Sequence, residues 1–200
     1  DPSLRGLDVY VGAVEDPDGF VGAYAGSAGK VTNAGLLSSP RGNITMTGKD
    51  IVQLGAITSS TSVALNGRVD LNASYDAVSN PNYDPTNPAF GAPFLYRSAG
   101  TITLGPSSVI QVLPEIGSAE KVVGTKLALN SQVNMRGKVV HFGRNSMLYA
   151  PSADVNINAG VWDYVVNGTT AKSAFVLSGG QVYMDSGAWI SVAGTTDVAA

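Results

Sequence analysis

The stretch Thr101-Ile-Thr-Leu-Gly-Pro-Ser-Ser-Val-Ile-Gln-Val-Leu113 decides the fold. Ile102 and Leu104 alternate with Thr, a polar turn on Gly105-Pro106 follows, and Ile110 and Val112 resume the alternation. Apolar residues at every second position on both sides of a Gly/Pro/Ser turn mark two short, half-buried strands. The phrase recurs with five spacers at Ile44, Met46, Val52, Leu54, at Met147, Tyr149, Val155, Ile157, and at Val182, Met184, Ile190, Val192. A version with three spacers occupies Val63, Leu65, Val69, Leu71 and Leu127, Leu129, Val133, Met135.

The distance between instances indicates the architecture. Ile44 and Val63 stand 19 residues apart, and Leu127 and Met147 stand 20 apart. A unit near 20 residues holding several short strands matches one coil of a parallel β-helix, or β-solenoid, whose coils stack at about 4.8 Å. Six to eight coils would make a rod of roughly 30–40 Å on that spacing. An antiparallel sandwich or barrel also alternates, but strands of three to five residues in a near-constant repeat argue against it. Inward positions of such a coil should be Val, Ile, Leu, Ala or Met, and one coil cannot bury its apolar face alone. The expectation is an all-β fold with ~20-residue coils. Residues 1–41 form an irregular, strand-rich lead-in, and coils run over residues 42–200 with loop insertions at about 75–98 and 160–174.

Composition agrees. The chain of 200 residues has 24 Gly against 12 Lys plus Arg, with 44% hydrophobic residues. Gly and β-branched residues suit short strands and tight turns and weaken long helices. Charged residues are only 14% and the net charge is −3, which gives no basic footprint for nucleic acid. No apolar run approaches the ~20 residues of a membrane-spanning helix. The absence of Cys excludes disulfides, thiol nucleophiles and thiolate metal sites. The chain starts at Asp1 without a signal-like segment and ends on Val198-Ala199-Ala200, which reads as a section of something longer.

Chemistry-bearing patterns are sparse. His141 is the only His and sits in the alternating Lys138-Val-Val-His-Phe142, where it reads as an outward strand residue. Glu15, Asp16 and Asp18 lie on Val14-Glu-Asp-Pro-Asp-Gly19, an acidic turn without the later Glu of a calcium loop. Gly22 to Gly29 lacks the Lys-Ser/Thr ending of a phosphate loop and reads as a connector. Asp70, Asp154 and Asp185 read as outward or turn-forming. Asn43, Asn72 and Asn167 head glycosylation-type triplets, a pattern short enough to arise by chance. No catalytic residue, metal site or cofactor is expected.

The insertions carry the candidate binding residues. Tyr75, Tyr83, Phe90, Phe94 and Tyr96 fall in the first, among the breaks Asn80-Pro81, Asp84-Pro85 and Asn87-Pro88. Trp162 and Tyr164 fall in the second, in Val161-Trp-Asp-Tyr164. Loops on a rigid scaffold often carry binding, and aromatic faces stack on sugars. The competing structural role is to pack the loops onto the wall of strands.

Several phrases resemble the filamentous haemagglutinin family of very large bacterial exoproteins. They are Asn66-Gly-Arg-Val-Asp-Leu-Asn-Ala-Ser-Tyr75, Val78-Ser-Asn-Pro-Asn-Tyr83, Gly91-Ala-Pro-Phe-Leu-Tyr96, Ile102-Thr-Leu-Gly105, Lys121-Val-Val-Gly124, Leu127-Ala-Leu-Asn-Ser-Gln-Val-Asn-Met135, Gly179-Gly-Gln-Val-Tyr-Met-Asp-Ser-Gly187 and Val192-Ala-Gly-Thr-Thr-Asp197. The resemblance implies that the β-helix is right-handed. It also implies export through a dedicated outer-membrane pore partner, an extracellular or cell-surface location, and a filament serving adhesion. The expected partners are neighbouring coils of a longer chain, further copies of itself, and host or cell-surface glycans or proteins. The alternative is a carbohydrate-binding or polysaccharide-degrading β-helix protein.

Overall fold

The structure is a computed structural model that describes residues 6–11, 29–62, 66–80, 82–84, 86, 94–115, 130–167 and 170–194. Among them every regular element is a β-strand. The chain visits three sheets in the same order, five times. The first pass is β1 (Gly6–Val11), β2 (Lys30–Asn33) and β3 (Leu36–Pro40); the second is β4 (Asn43–Gly48), β5 (Asp50–Gln53) and β6 (Ala56–Thr61). The third starts with β7 (Arg68–Asn72) and leaves through the short strands β8 (Ser74–Tyr75), β9 (Val78–Ser79), β10 (Phe94–Leu95) and β11 (Ser98–Ala99). It then returns to β12 (Thr101–Leu104) and β13 (Val109–Pro114). The fourth is β14 (Gln132–Gly137), β15 (Val139–Phe142) and β16 (Met147–Tyr149). The fifth runs from β17 (Asp154–Ala159) through β18 (Val161–Asn167) and β19 (Thr170–Val176) to β20 (Gln181–Met184) and β21 (Trp189–Ser191).

The first sheet is β1-β4-β7-β14-β17, the second β2-β5-β12-β15-β20 and the third β3-β6-β13-β16-β21. All neighbours within these three sheets are parallel. The described strands of residues 1–41 add one strand to each sheet. Each sheet is five strands deep among the described residues, short of the expected six to eight coils. Between described passes, chain is also taken up by the short strands β8 to β11 and by β18 and β19.

Register stacks like on like. In the first sheet Ile44, Val69, Val133 and Val155 form one inward column, and Met46, Leu71, Met135 and Ile157 form the next. In the second, Val31, Ile51, Ile102, Val140 and Val182 stack. In the third, Leu37, Ile57, Ile110, Leu148 and Ile190 do the same. Residues in the middle passes are fully buried in one cluster. Burial of each aliphatic side chain there contributes about 1.5–3 kcal/mol, and only because a neighbouring pass covers it.

Two sequence expectations shift. Val52 and Leu54 are not inward: β5 buries Ile51 and Gln53, and Leu54 is 45% exposed. Met147 and Tyr149 likewise flank the buried Leu148. A five-residue spacer does not fix the phase, because a corner can use an odd or even number of residues. The inward set is also not wholly apolar. Asn33 and Gln53 lie inside, with Asn33 Nδ2 donating to Gln53 Oε1 at 2.8 Å and to Ala56 O at 3.1 Å. Corners 34–35 and 54–55 are short, and Asn33 Oδ1 accepts from Gly35 N at 3.1 Å. Later corners close themselves: Ser108, Ser146 and Ala188 N donate to Gly105, Gly143 and Asp185 O. Positive φ at Ser107, Asn145 and Gly187 provides the third position of such turns. With the corner satisfied, the amide column becomes Leu104, Phe142 and Met184.

Candidate functional site: the hairpin corner and its groove

The corner between the first and second sheets alternates in length. In the second and fourth passes it is a single residue, Lys49 or Lys138. In the third and fifth it is a projecting hairpin. The first hairpin has β8 antiparallel to β11 and β9 antiparallel to β10. Ser98 Oγ donates to Asp76 Oδ2 at 2.8 Å across its base, and Asp76 takes φ 55 to open the strand outward. It re-enters through Gly100, where a Cβ would lie 1.7 Å from Lys49 O, so only glycine fits against the pass below. The second hairpin is the seven-residue pair β18–β19.

The hairpins meet over the short corner of the fourth pass. Trp162 Nε1 donates to Ser74 Oγ at 3.0 Å, and Ser74 Oγ donates to Asn72 Oδ1 at 2.7 Å. The Tyr96 and Trp162 rings are 5.7 Å apart, and Phe175 meets Trp162 edge-on at 5.3 Å. The Arg97 guanidinium lies 4.6 Å from the Tyr164 ring. Arg136, on the fourth pass, reaches both Trp162 and Phe175, at 5.7 and 5.3 Å. Lys49 stands 5.4 Å from the Tyr75 ring. These distances suit cation–π and offset aromatic contacts.

Of the sequence candidates, Tyr96, Trp162 and Tyr164 are brought together and half-buried, with Tyr75 at the hairpin base. Tyr83 stands apart at 43% exposure. Phe94 pairs through its backbone, and Phe90 lies outside the described residues, as does the acidic turn at residues 14–19. Sequence reasoning missed Phe175, Arg97 and Arg136. Phe175 was findable: Asn167-Gly168 between alternating flanks is a hairpin signal. The arginines were not, because an outward Arg on or beside a strand looks like any solvated charge.

Beside this corner the outer face of the first sheet holds a groove of about 510 Å³ lined by Thr45, Asp70, Asn72, Asn134, Arg136 and Asn158 among others. That volume is within the ~300–1,000 Å³ of ligand clefts. Arg68 Nε sits 2.6 Å from Asp70 Oδ2, so this carboxylate is ion-paired inside the groove. Among the described residues no group of three or more His, Asp or Glu could hold a metal. His141 is outward on β15, stacked on Tyr183 at 4.1 Å, with Nε2 3.0 Å from Asp185 Oδ2.

No protein-family model, curated protein or solved structure matches this chain. The hairpin corner and groove therefore rest on their own geometry: aromatic and cationic groups packed as a clasp, next to a polar cleft held on parallel strands.

Proposed function

We propose that the chain is a structural and adhesive section of a right-handed parallel β-helix, belonging to a large secreted bacterial surface protein similar to the filamentous haemagglutinin family, and that it performs no catalysis. The supporting observation is the in-register stacking at the sheet ends. Val182 and Met184 continue inward columns whose earlier members are buried, yet they are 45% and 44% exposed, since β20 pairs on one side only among the described residues. Another pass, from the same longer chain or another copy, would bury them. A rigid stack whose end strands can accept a further pass would project and space whatever its corners display, which is the work of an adhesive filament. On this reading the protein is extracellular and reaches the surface through an outer-membrane pore partner. Electron microscopy of native secreted material tests it. Long rods of uniform narrow width are expected, and compact particles the size of this chain would refute the filament.

A further inference from the structure

The outward positions of the first sheet form rows across the passes. One row runs Thr45, Asp70, Asn134, Asn156, and the next runs Thr47, Asn72, Arg136, Asn158. The first is bonded to itself. Asn156 Nδ2 donates to Asn134 Oδ1 at 3.1 Å, and Asn134 Nδ2 donates to Asp70 Oδ1 at 2.8 Å. The second is open. Asn72 Oδ1 accepts from Ser74, while its Nδ2 has no partner among the described residues. Asn158 makes no side-chain hydrogen bond among them. Arg136 has no carboxylate at ion-pair distance there, although its guanidinium is steadied by two aromatic rings.

We infer that this groove binds an uncharged, hydroxyl-rich saccharide. Amide side chains both donate and accept, as sugar hydroxyls do, and the guanidinium offers five donors in a fixed fork. The closed row holds the backbone register and Asp70 in place, so the open row is preorganised at little further entropic cost. The ligand is uncharged because the lining is mainly neutral hydrogen-bonding side chains, Thr45, Asn72, Gln132, Asn134 and Asn158, while Arg68 pairs with Asp70 and Arg136 alone carries a charge with no carboxylate at ion-pair distance among the described residues. The aromatic clasp holds the Arg136 guanidinium at the corner end of the groove. The inference rests on the adhesive reading and names the ligand class of that surface.

The test is calorimetric titration of the full chain with oligosaccharides of uncharged glucan, galactan and mannan, and with polygalacturonate as the anionic comparison. At least one uncharged set should bind, with an affinity unchanged in high salt. Asn158→Ala and Arg136→Gln should each weaken it about tenfold or more. Asn158 has no side-chain partner among the described residues to lose, so its variant should fold as the parent does. Tyr183→Ala, on the outer face of the second sheet, should leave binding intact. No heat from any uncharged saccharide at millimolar concentration would overturn the inference. So would binding confined to polygalacturonate and abolished by salt, or binding indifferent to Asn158→Ala. Rods in the microscope without saccharide binding would remove this inference and leave the filament. New reducing ends in the titrated mixture would instead remove the non-catalytic reading and keep the groove.

Discussion

Phe142 and Met184 occupy one column, one pass apart, and differ in everything that determines stability. Phe142 is covered by the third and fifth passes and is fully buried; Met184 has a strand on one side and is 44% exposed. The same inward phase therefore has different worth depending on its neighbours. Stability in such a stack is a sum of interfaces between passes, not a property of any single pass.

The comparison can be broken most strongly at its buried end. Phe142→Ala should cost about 3–5 kcal/mol, read as a fall in the urea midpoint, because the cavity is closed above and below. Gln53→Ala comes next. It removes one of the two acceptors of Asn33 Nδ2 inside the core, leaving Ala56 O, and should cost about 1–3 kcal/mol by the same measurement. Trp162→Phe removes the donor to Ser74 while keeping an aromatic ring, and a loss of about 1 kcal/mol is expected. Met184→Ala should cost well under the Phe142 value, about 1 kcal/mol or less, since much of its surface already meets water. A Met184 cost equal to that of Phe142→Ala would mean the exposed end is covered in solution.

The smallest effect is electrostatic. Arg41 donates from Nε and Nη2 to Glu115, at 2.6 Å for Nη2, and Ser60 Oγ donates to Glu115 Oε1 at 2.6 Å. The Arg41 and Ser60 hydrogen bonds lower the Glu115 carboxyl from 4.5 to about 2. A folded-state value below the unfolded one stabilises the fold above pH ~4.5, and that contribution is lost as pH falls towards 2. Glu115→Gln should flatten the stability–pH curve in that window and leave it unchanged near neutrality in slope. A steep curve in the variant would place the acid sensitivity elsewhere.

How much of this was legible follows from the physics of each signal. Ile102, Leu104, Ile110 and Val112 were read in the right phase, because a self-closing turn keeps both strands in step. Val52 and Leu54 were misphased, because the one-residue corner at Lys49 leaves no turn residues to count. Asn33 and Gln53 were invisible as core, since alternation scales score an amide as outward whatever it bonds to. At the candidate site the aromatics were legible by type and position. Arg136 and the open amide row were not, because only parallel register brings residues 72, 136 and 158 into one row.

The alternating corner works as a ruler. Strands from successive passes lie about 4.8 Å apart, while a sheet layer with its side chains needs about 10 Å. One hairpin per pass would collide with the next, whereas one in every two leaves the thickness of a single layer. The lysine corners at 49 and 138 are thus the vacancies that make room, and a display of hairpins along this edge cannot be set at closer pitch.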